Sequence, residues 1–239
     1  MTAQRTSLAD WLAGAARSRE RSGLARTRSA LVPASPVEVL HRGQTLVNFS
    51  SNDYLGLAGD PALISALQRG AQAHGVGSGA SALVTGFREP HAALESELAE
   101  FLGYPRVLLC ASGYHANLAA MGALAGRGDV IVQDRLCHAS LIDGARLSGA
   151  DLRRYPHADI AALDRQLQRG AEGHALVVSD GVFSMDGDQA DVAALAEICA
   201  RHDAWLMVDD AHGIGVTGPD GRGTVAAAGL GPEQVPVLV

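Results

Sequence analysis

Lysine is absent from the 239 residues, and all 19 basic side chains are arginine. The chain therefore carries no ε-amine to attack a carbonyl or to form an imine with one. Cysteine is scarce: Cys110, Cys137 and Cys199 are odd in number and widely separated, and none belongs to a C-x-x-C pair. That usage argues against a disulfide framework and fits a reduced, cytoplasmic compartment. No apolar stretch reaches the length of a membrane span, and the arginine-studded segment from Met1 to Arg28 lacks the apolar centre of a secretory signal. Charge of one sign is not concentrated either. The net charge of −7 comes from interspersed acids and bases, which leaves no basic stripe for nucleic acid or for an anionic membrane. Neither partner is expected.

What is present is a composition that is 47% hydrophobic, enough to bury a substantial core. One large domain with a small appendage and two separate domains both remain open. Leu8, Trp11, Leu12, Ala15 and Ala16 recur at three- and four-residue spacings, predicting an amphipathic helix over Leu8 to Leu24 that packs on a larger body. Pro33 and Pro36 then interrupt the chain. We assign residues 1–45 to this N-terminal helix and linking segment and residues 46–239 to one large domain.

Within the large domain, Val107 to Ala111, Val130 to Gln133, Ala175 to Ser179 and Trp205 to Val208 are short apolar runs bounded by Gly, Asp or Ser. Helical patterns over Pro90 to Leu102, His115 to Ala125, Ile160 to Gln168 and Val192 to His202 alternate with them. Strands that are apolar throughout, separated by helices, predict the α/β class with a mostly parallel sheet covered on both faces. Val235 to Val239 is another strand-like run with nothing after it, so the sequence reads as stopping inside a domain whose C-terminal part is missing.

Ligands of such sheets bind outside the carboxyl ends of the strands. After the first run, Ser112-Gly113-Tyr114 enters a helix carrying His115 and Asn117, where backbone N–H groups at a helix start suit a phosphate. After the second comes His138, whose imidazole suits a planar ring or a carboxylate. After the third comes Asp180 to Asp188, with Ser184 as a hydroxyl for a phosphate or phenolic oxygen. Asp186, Asp188 and Glu197 mimic part of a calcium loop, but Asp191 stands where that loop requires glycine. After the fourth comes Asp209-Asp210-Ala211-His212-Gly213, and a carboxylate at a buried strand end suits a pyridinium N–H. A metal site on Asp209, Asp210 and His212 is the competing reading, with no further ligand motif to complete it. Gly75, Gly77 and Gly79 follow a helical pattern instead of a strand, which excludes a dinucleotide loop, and no G-x-S-x-G elbow is present.

Taken in order, FSSNDYLG (Phe49 to Gly56), GSGAS (Gly77 to Ser81), SGYHAN (Ser112 to Asn117), DRLCHASLIDG (Asp134 to Gly144), DGVFSMDGD (Asp180 to Asp188) and DDAHGIG (Asp209 to Gly215) resemble the α-oxoamine synthases, fold-type I pyridoxal-phosphate enzymes. One departure is Ala82, where relatives commonly carry a larger residue. The resemblance implies pyridoxal 5′-phosphate as cofactor and condensation of L-alanine with a pimeloyl thioester, carried by acyl-carrier protein or coenzyme A, with loss of carbon dioxide. It implies a homodimer.

It also implies residue roles. Gly113 and Tyr114 would cradle the phosphate, His138 would stack on the ring and touch substrate, and Asp209 would pair with the ring nitrogen. Ser184 and His212 would face the phenolic oxygen, while Asn52 and Arg26 would contact substrate. The family's lysine follows DDAHG in a Thr-x-Gly-Lys run, which this sequence does not contain. The expectation is thus a synthase fragment, inactive as it stands. The alternatives are a non-catalytic subunit that completes its site with a partner chain, and a relative that uses glycine.

Overall fold

The computed structural model describes residues 6–239; residues 1–5, at the head of the N-terminal segment, lie outside it. The chain divides into two compact units, Met1–Ser65 and Ala66–Val239.

The first unit opens with helix α1, Leu8–Arg21. Ser7 caps it by accepting the Asp10 N–H at 3.1 Å, and Asp10 and Arg19/Arg21 lie at the ends that favour their charges. The apolar stripe is there as predicted, but no residue of α1 is buried, and Trp11 stays 61% exposed. Strands β1 (Val32–Ser35), β2 (Glu38–His41) and β3 (Gln44–Val47) then form an antiparallel meander where an interrupted segment was expected. The prolines mislead because Pro33 sits on β1, an edge strand, where a missing N–H is tolerated. Arg42 and Gly43, both at positive φ (49° and 79°), make the tight β2–β3 turn. Helix α2, Pro61–His74, runs across the boundary between the units.

The second unit continues with α3 (Glu89–Leu102) and α4 (Gly113–Leu124), then alternates strictly: β4 (Val130–Asp134), α5 (Ala139–Ser148), β5 (Asp151–Tyr155), α6 (Ile160–Gln168), β6 (Ala175–Asp180), α7 (Val192–Arg201), β7 (Trp205–Asp209), α8 (Gly223–Ala227) and β8 (Val237–Leu238). The five strands form one parallel sheet in the order β5-β4-β6-β7-β8. This is the α/β architecture expected from the apolar runs. Successive side chains of a strand face opposite ways, and the core splits accordingly. Val130, Val132, Val177, Leu206 and Val208 pack with α6 and α7, whereas Ile131, Leu176, Val178 and Met207 pack with α4 and α5. From β4 the chain moves outward to β5, then returns past β4 to β6, so its direction reverses between β4 and β6. Such a switch point opens a crevice at the carboxyl ends.

The expected strand over Val107 to Ala111 is not formed. Among the described residues no strand pairs with this run; the Leu109 N–H goes to Glu95 Oε1 at 3.0 Å, and Leu108 is 85% exposed. An apolar run becomes a strand only when a neighbour supplies its ladder bonds. Strand β5 was missed for the opposite reason: as an edge strand it is polar, with only Tyr155 buried. Helix α5 was hidden by Gly144, where a side chain would collide with Met121 Sδ at 2.8 Å; the glycine lets α4 and α5 approach closely.

Candidate functional site

Three neighbouring parallel strands each end in a buried aspartate: Asp134 on β4, Asp180 on β6 and Asp209 on β7. Asp180 and Asp209 are register partners. Placing carboxylates side by side away from water is costly unless each is given donors or stays protonated, and the three are handled differently.

Asp209 receives the side-chain amide of Asn117 on Oδ2 at 2.6 Å and the Ala211 N–H on Oδ1 at 3.2 Å. Asn117, buried in α4, also donates to Ser140 Oγ at 2.8 Å, while its own Oδ1 has no partner. Ser140 Oγ lies 2.7 Å from His138 Nδ1, and the Ser140 N–H points to the same nitrogen at 3.3 Å. His138 thus caps α5 with its ring while remaining exposed. Its backbone N–H donates to Asp180 Oδ1 at 3.2 Å. Asp209 and His138, two predicted site residues, are therefore linked through Asn117 and Ser140, and His138 is tied back to the strand beside Asp209.

Asp180 has little else to stabilise its charge. Burial pushes its carboxyl up to about 7; the His138 N–H opposes this, and the charges of Asp209 and Asp134 add to it. Cys137 hydrogen-bonds the Val178 carbonyl at 3.6 Å, and burial, with the charges of Asp180 and Asp134 adding to it, raises its thiol well above the ordinary range.

Asp134 is paired instead. Its carboxylate accepts the Leu136 N–H at 2.7 Å, the Ala158 N–H at 2.9 Å and His157 Nδ1 at 3.1 Å. His157 reaches Asp188 Oδ2 from Nε2 at 2.7 Å and meets Phe183 edge-on. Burial pulls the imidazole down, but the two carboxylates outweigh it and leave its pKa raised. This bridge pins the 181–188 loop, which carries Ser184, to the ends of β4 and β5.

Asp210 is fully buried and is held by the Thr224 N–H at 2.6 Å and the Thr224 hydroxyl at 2.9 Å. Burial raises its carboxyl, the Thr224 bonds oppose this, and Asp209 adds to it. Gly181, Gly213 and Gly223 press so closely on this carboxylate that a Cβ on any of them would overlap it.

The remaining predicted residues are more loosely gathered. Gly113 opens α4 behind its cap Ser112, with open space around the position a side chain would fill. Tyr114 gives its hydroxyl to Asp143 at 2.7 Å, and that bond, with a smaller contribution from burial, raises the phenol. His212 is partly buried in the loop after β7, and Ser184 is exposed. Arg26 and Asn52 are exposed residues of the first unit. Sequence reasoning assigned no role to Asn117, Ser140, Asp134, Asp180 or His157. The signal for Asp180 and Asp134 was available, since each follows an apolar run as Asp209 does. His157 follows β5, the strand that was missed.

Chemically, the strand ends offer an anion that can hold a protonated nitrogen, an exposed imidazole nearby, and a helix start suited to a phosphate. Among the described residues no cluster of His, Cys, Asp and Glu could hold a metal ion, and no helix is long and apolar enough to cross a membrane.

The chain matches the family model described as aminotransferase class I and II over residues 44–238. It is 54% identical over 228 residues to the 8-amino-7-oxononanoate synthase of Pseudomonas aeruginosa, covering 95% of this chain and 57% of that relative. To the enzyme of the same name from Methylococcus capsulatus it is 55% identical over 214 residues, covering 90% and 55%. The chain thus spans little more than half the length of these relatives. Among solved structures it resembles serine palmitoyltransferase from S. paucimobilis with a bound PLP–myriocin aldimine, with a TM-score of 0.86 and 32% identity over 97% of this chain and 59% of that one. The 8-amino-7-oxononanoate synthase of Francisella tularensis gives 0.66 and 34%, covering 78% and 51%.

Proposed function

The chain belongs to the class I and II aminotransferase family, and from that premise we propose that it forms the cofactor bed of a pyridoxal-phosphate-dependent C-acyltransferase of the 8-amino-7-oxononanoate synthase type. The proposed reaction joins L-alanine to a pimeloyl thioester, releases carbon dioxide and the carrier thiol, and yields 8-amino-7-oxononanoate for biotin synthesis. The named relatives support this choice over a glycine-using enzyme. A homodimer in the cytoplasm, with residues 46–239 as the cofactor-binding domain behind an N-terminal segment, completes the proposal.

The observation that carries it is Asp209, a buried carboxylate at a strand end, oriented by Asn117 and joined through Ser140 to an exposed His138. These residues fit the cofactor. Asp209 would hold a proton on the ring nitrogen by charge and hydrogen bond. The α4 start at Gly113, free of side-chain bulk, would take the phosphate on backbone N–H groups, with Tyr114 beside it. His138 would stack on the ring and contact substrate, while Ser184 and His212 would serve the phenolic oxygen. Arg26 and Asn52 would contact substrate. When bound, pyridoxal 5′-phosphate supplies an electron sink for the amino acid's α-carbon. Covalent attachment requires a lysine from outside these 239 residues, in the same polypeptide or a partner.

Titrating the chain with pyridoxal 5′-phosphate tests the reading. We expect reversible binding, removed by dialysis and not fixed by borohydride, and weakened by roughly tenfold or more in Asp209→Asn, as for a lost charge-assisted hydrogen bond. Absence of binding, or an unchanged affinity in a folded Asp209→Asn chain, would sink it.

A further inference from the structure

His138 has one ring nitrogen committed inside the protein and an exposed ring. Which nitrogen carries the hydrogen decides whether the ring presents a donor or an acceptor outward. The surrounding hydrogen bonds fix the answer. Asn117 must turn its amide nitrogen, not its oxygen, toward the Asp209 carboxylate 2.6 Å away, because two oxygens would repel there. The same nitrogen supplies the bond to Ser140 Oγ at 2.8 Å, so that hydroxyl accepts from Asn117 and its own hydrogen is free to point at His138 Nδ1, 2.7 Å away. The Ser140 backbone N–H, which can only donate, aims at Nδ1 as well, at 3.3 Å. Two donors converge on one nitrogen, which must therefore present a lone pair.

We infer that Asn117 and Ser140 are positioning residues that hold His138 in its Nε2–H tautomer, so that the exposed ring offers a hydrogen-bond donor toward the site. The direction is set at Asp209: its charge orients Asn117, Asn117 orients the Ser140 hydroxyl, and that hydroxyl sets the imidazole. The backbone bond from His138 to Asp180 at 3.2 Å holds the ring's base in register with the same sheet. A donor at Nε2 suits a carboxylate or a thioester carbonyl oxygen and disfavours a donor group in that place. This last step rests on the proposed function, whereas the tautomer does not.

Long-range proton–nitrogen correlation NMR on the cofactor-free chain tests it, with His138→Gln identifying the resonances. We expect Nδ1 to show the unprotonated, pyridine-type signal and Nε2 the protonated, pyrrole-type one, with the Nε2–H form favoured roughly fivefold more than in an unconstrained imidazole, the factor given by one net hydrogen bond. Ser140→Ala removes the hydroxyl donor and leaves only the backbone N–H at 3.3 Å, so the preference should fall several-fold toward that of an unconstrained imidazole. If that variant does not fold, Asn117→Ser, at the other end of the relay, should shift the ratio the same way. An Nδ1–H signal, an averaged signal in the unaltered chain, or a ratio unchanged by the folded variant would overturn the inference. Because the cofactor is absent, failure of pyridoxal 5′-phosphate to bind would count against the proposed function alone and leave this measurement standing.

Discussion

Helices α3 and α7 both follow amphipathic patterns that the sequence displays plainly, yet they are held in different ways. In ten residues α7 buries Val192, Leu195, Ala196, Ile198 and Cys199 against the sheet, whereas α3, with fourteen residues, buries none and leaves Leu94 45% exposed. What fixes α3 and the residues after it is directional: Arg222 Nε donates to the Phe101 carbonyl at 2.6 Å, and the Tyr104 hydroxyl donates to the Val235 carbonyl at 2.8 Å. Periodicity predicts that a helix forms. It does not say how much surface the fold lays against it, and that surface decides how tightly the helix is bound.

The sharpest test of this contrast is a matched pair of truncations. Leu195→Ala should cost about 2–5 kcal/mol in denaturant unfolding, as for a buried leucine, and Leu94→Ala less than about 1 kcal/mol. Equal losses would erase the distinction.

A smaller effect is expected where the sheet body contains a conflict of its own. Asp180 has a folded pKa raised to about 7 from 3.8. The folded state therefore binds more protons than the unfolded state between those values, and stability falls as pH rises from about 4 to 7, then levels off. Asp180→Asn, which mimics the protonated acid and can still accept the His138 N–H, should flatten that slope. Above pH 7 it should stabilise the chain by on the order of 2–4 kcal/mol. Thermal melts from pH 4 to 8 would show it, and a variant whose slope matches the original would refute it.

The smallest effect should come from the bridge at the sheet margin. Since the His157 pKa is raised above 6.5, its stabilisation is complete below 6.5 and disappears as pH climbs through the raised value. His157→Gln should cost roughly 1–2 kcal/mol at pH 6 and less at pH 8. A cost that grows with pH would contradict the pairing with Asp134 and Asp188.

Much of this was legible in the sequence where burial and pattern coincide. Strands β4, β6 and β7 and helices α4, α6 and α7 fall close to the expected runs because each strand is buried on both faces and each helix follows a turn marked by Gly, Asp or Ser. Sequence pattern and structure diverge where pattern and environment part. Val107 to Ala111 is apolar but unpaired, β5 is paired but polar, and the β1–β3 meander lay behind prolines that an edge strand tolerates. In the site, Asp209 and His138 could be chosen from their places after strands. Their connection could not, because Asn117 and Ser140 meet them only after α4 and α5 pack together across Gly144, a contact spanning 92 residues between Asn117 and Asp209.

The glycines around Asp210 carry a consequence for how such sequences can vary. Gly181, Gly213 and Gly223 come from three separate segments, and each abuts the same carboxylate that Thr224 holds. A side chain gained at any one of them has no room while Asp210 keeps its place, and shortening Asp210 strands the Thr224 donors. The four positions form a lock that drifts only in concert, so among descendants of this chain they should change together or stay unchanged.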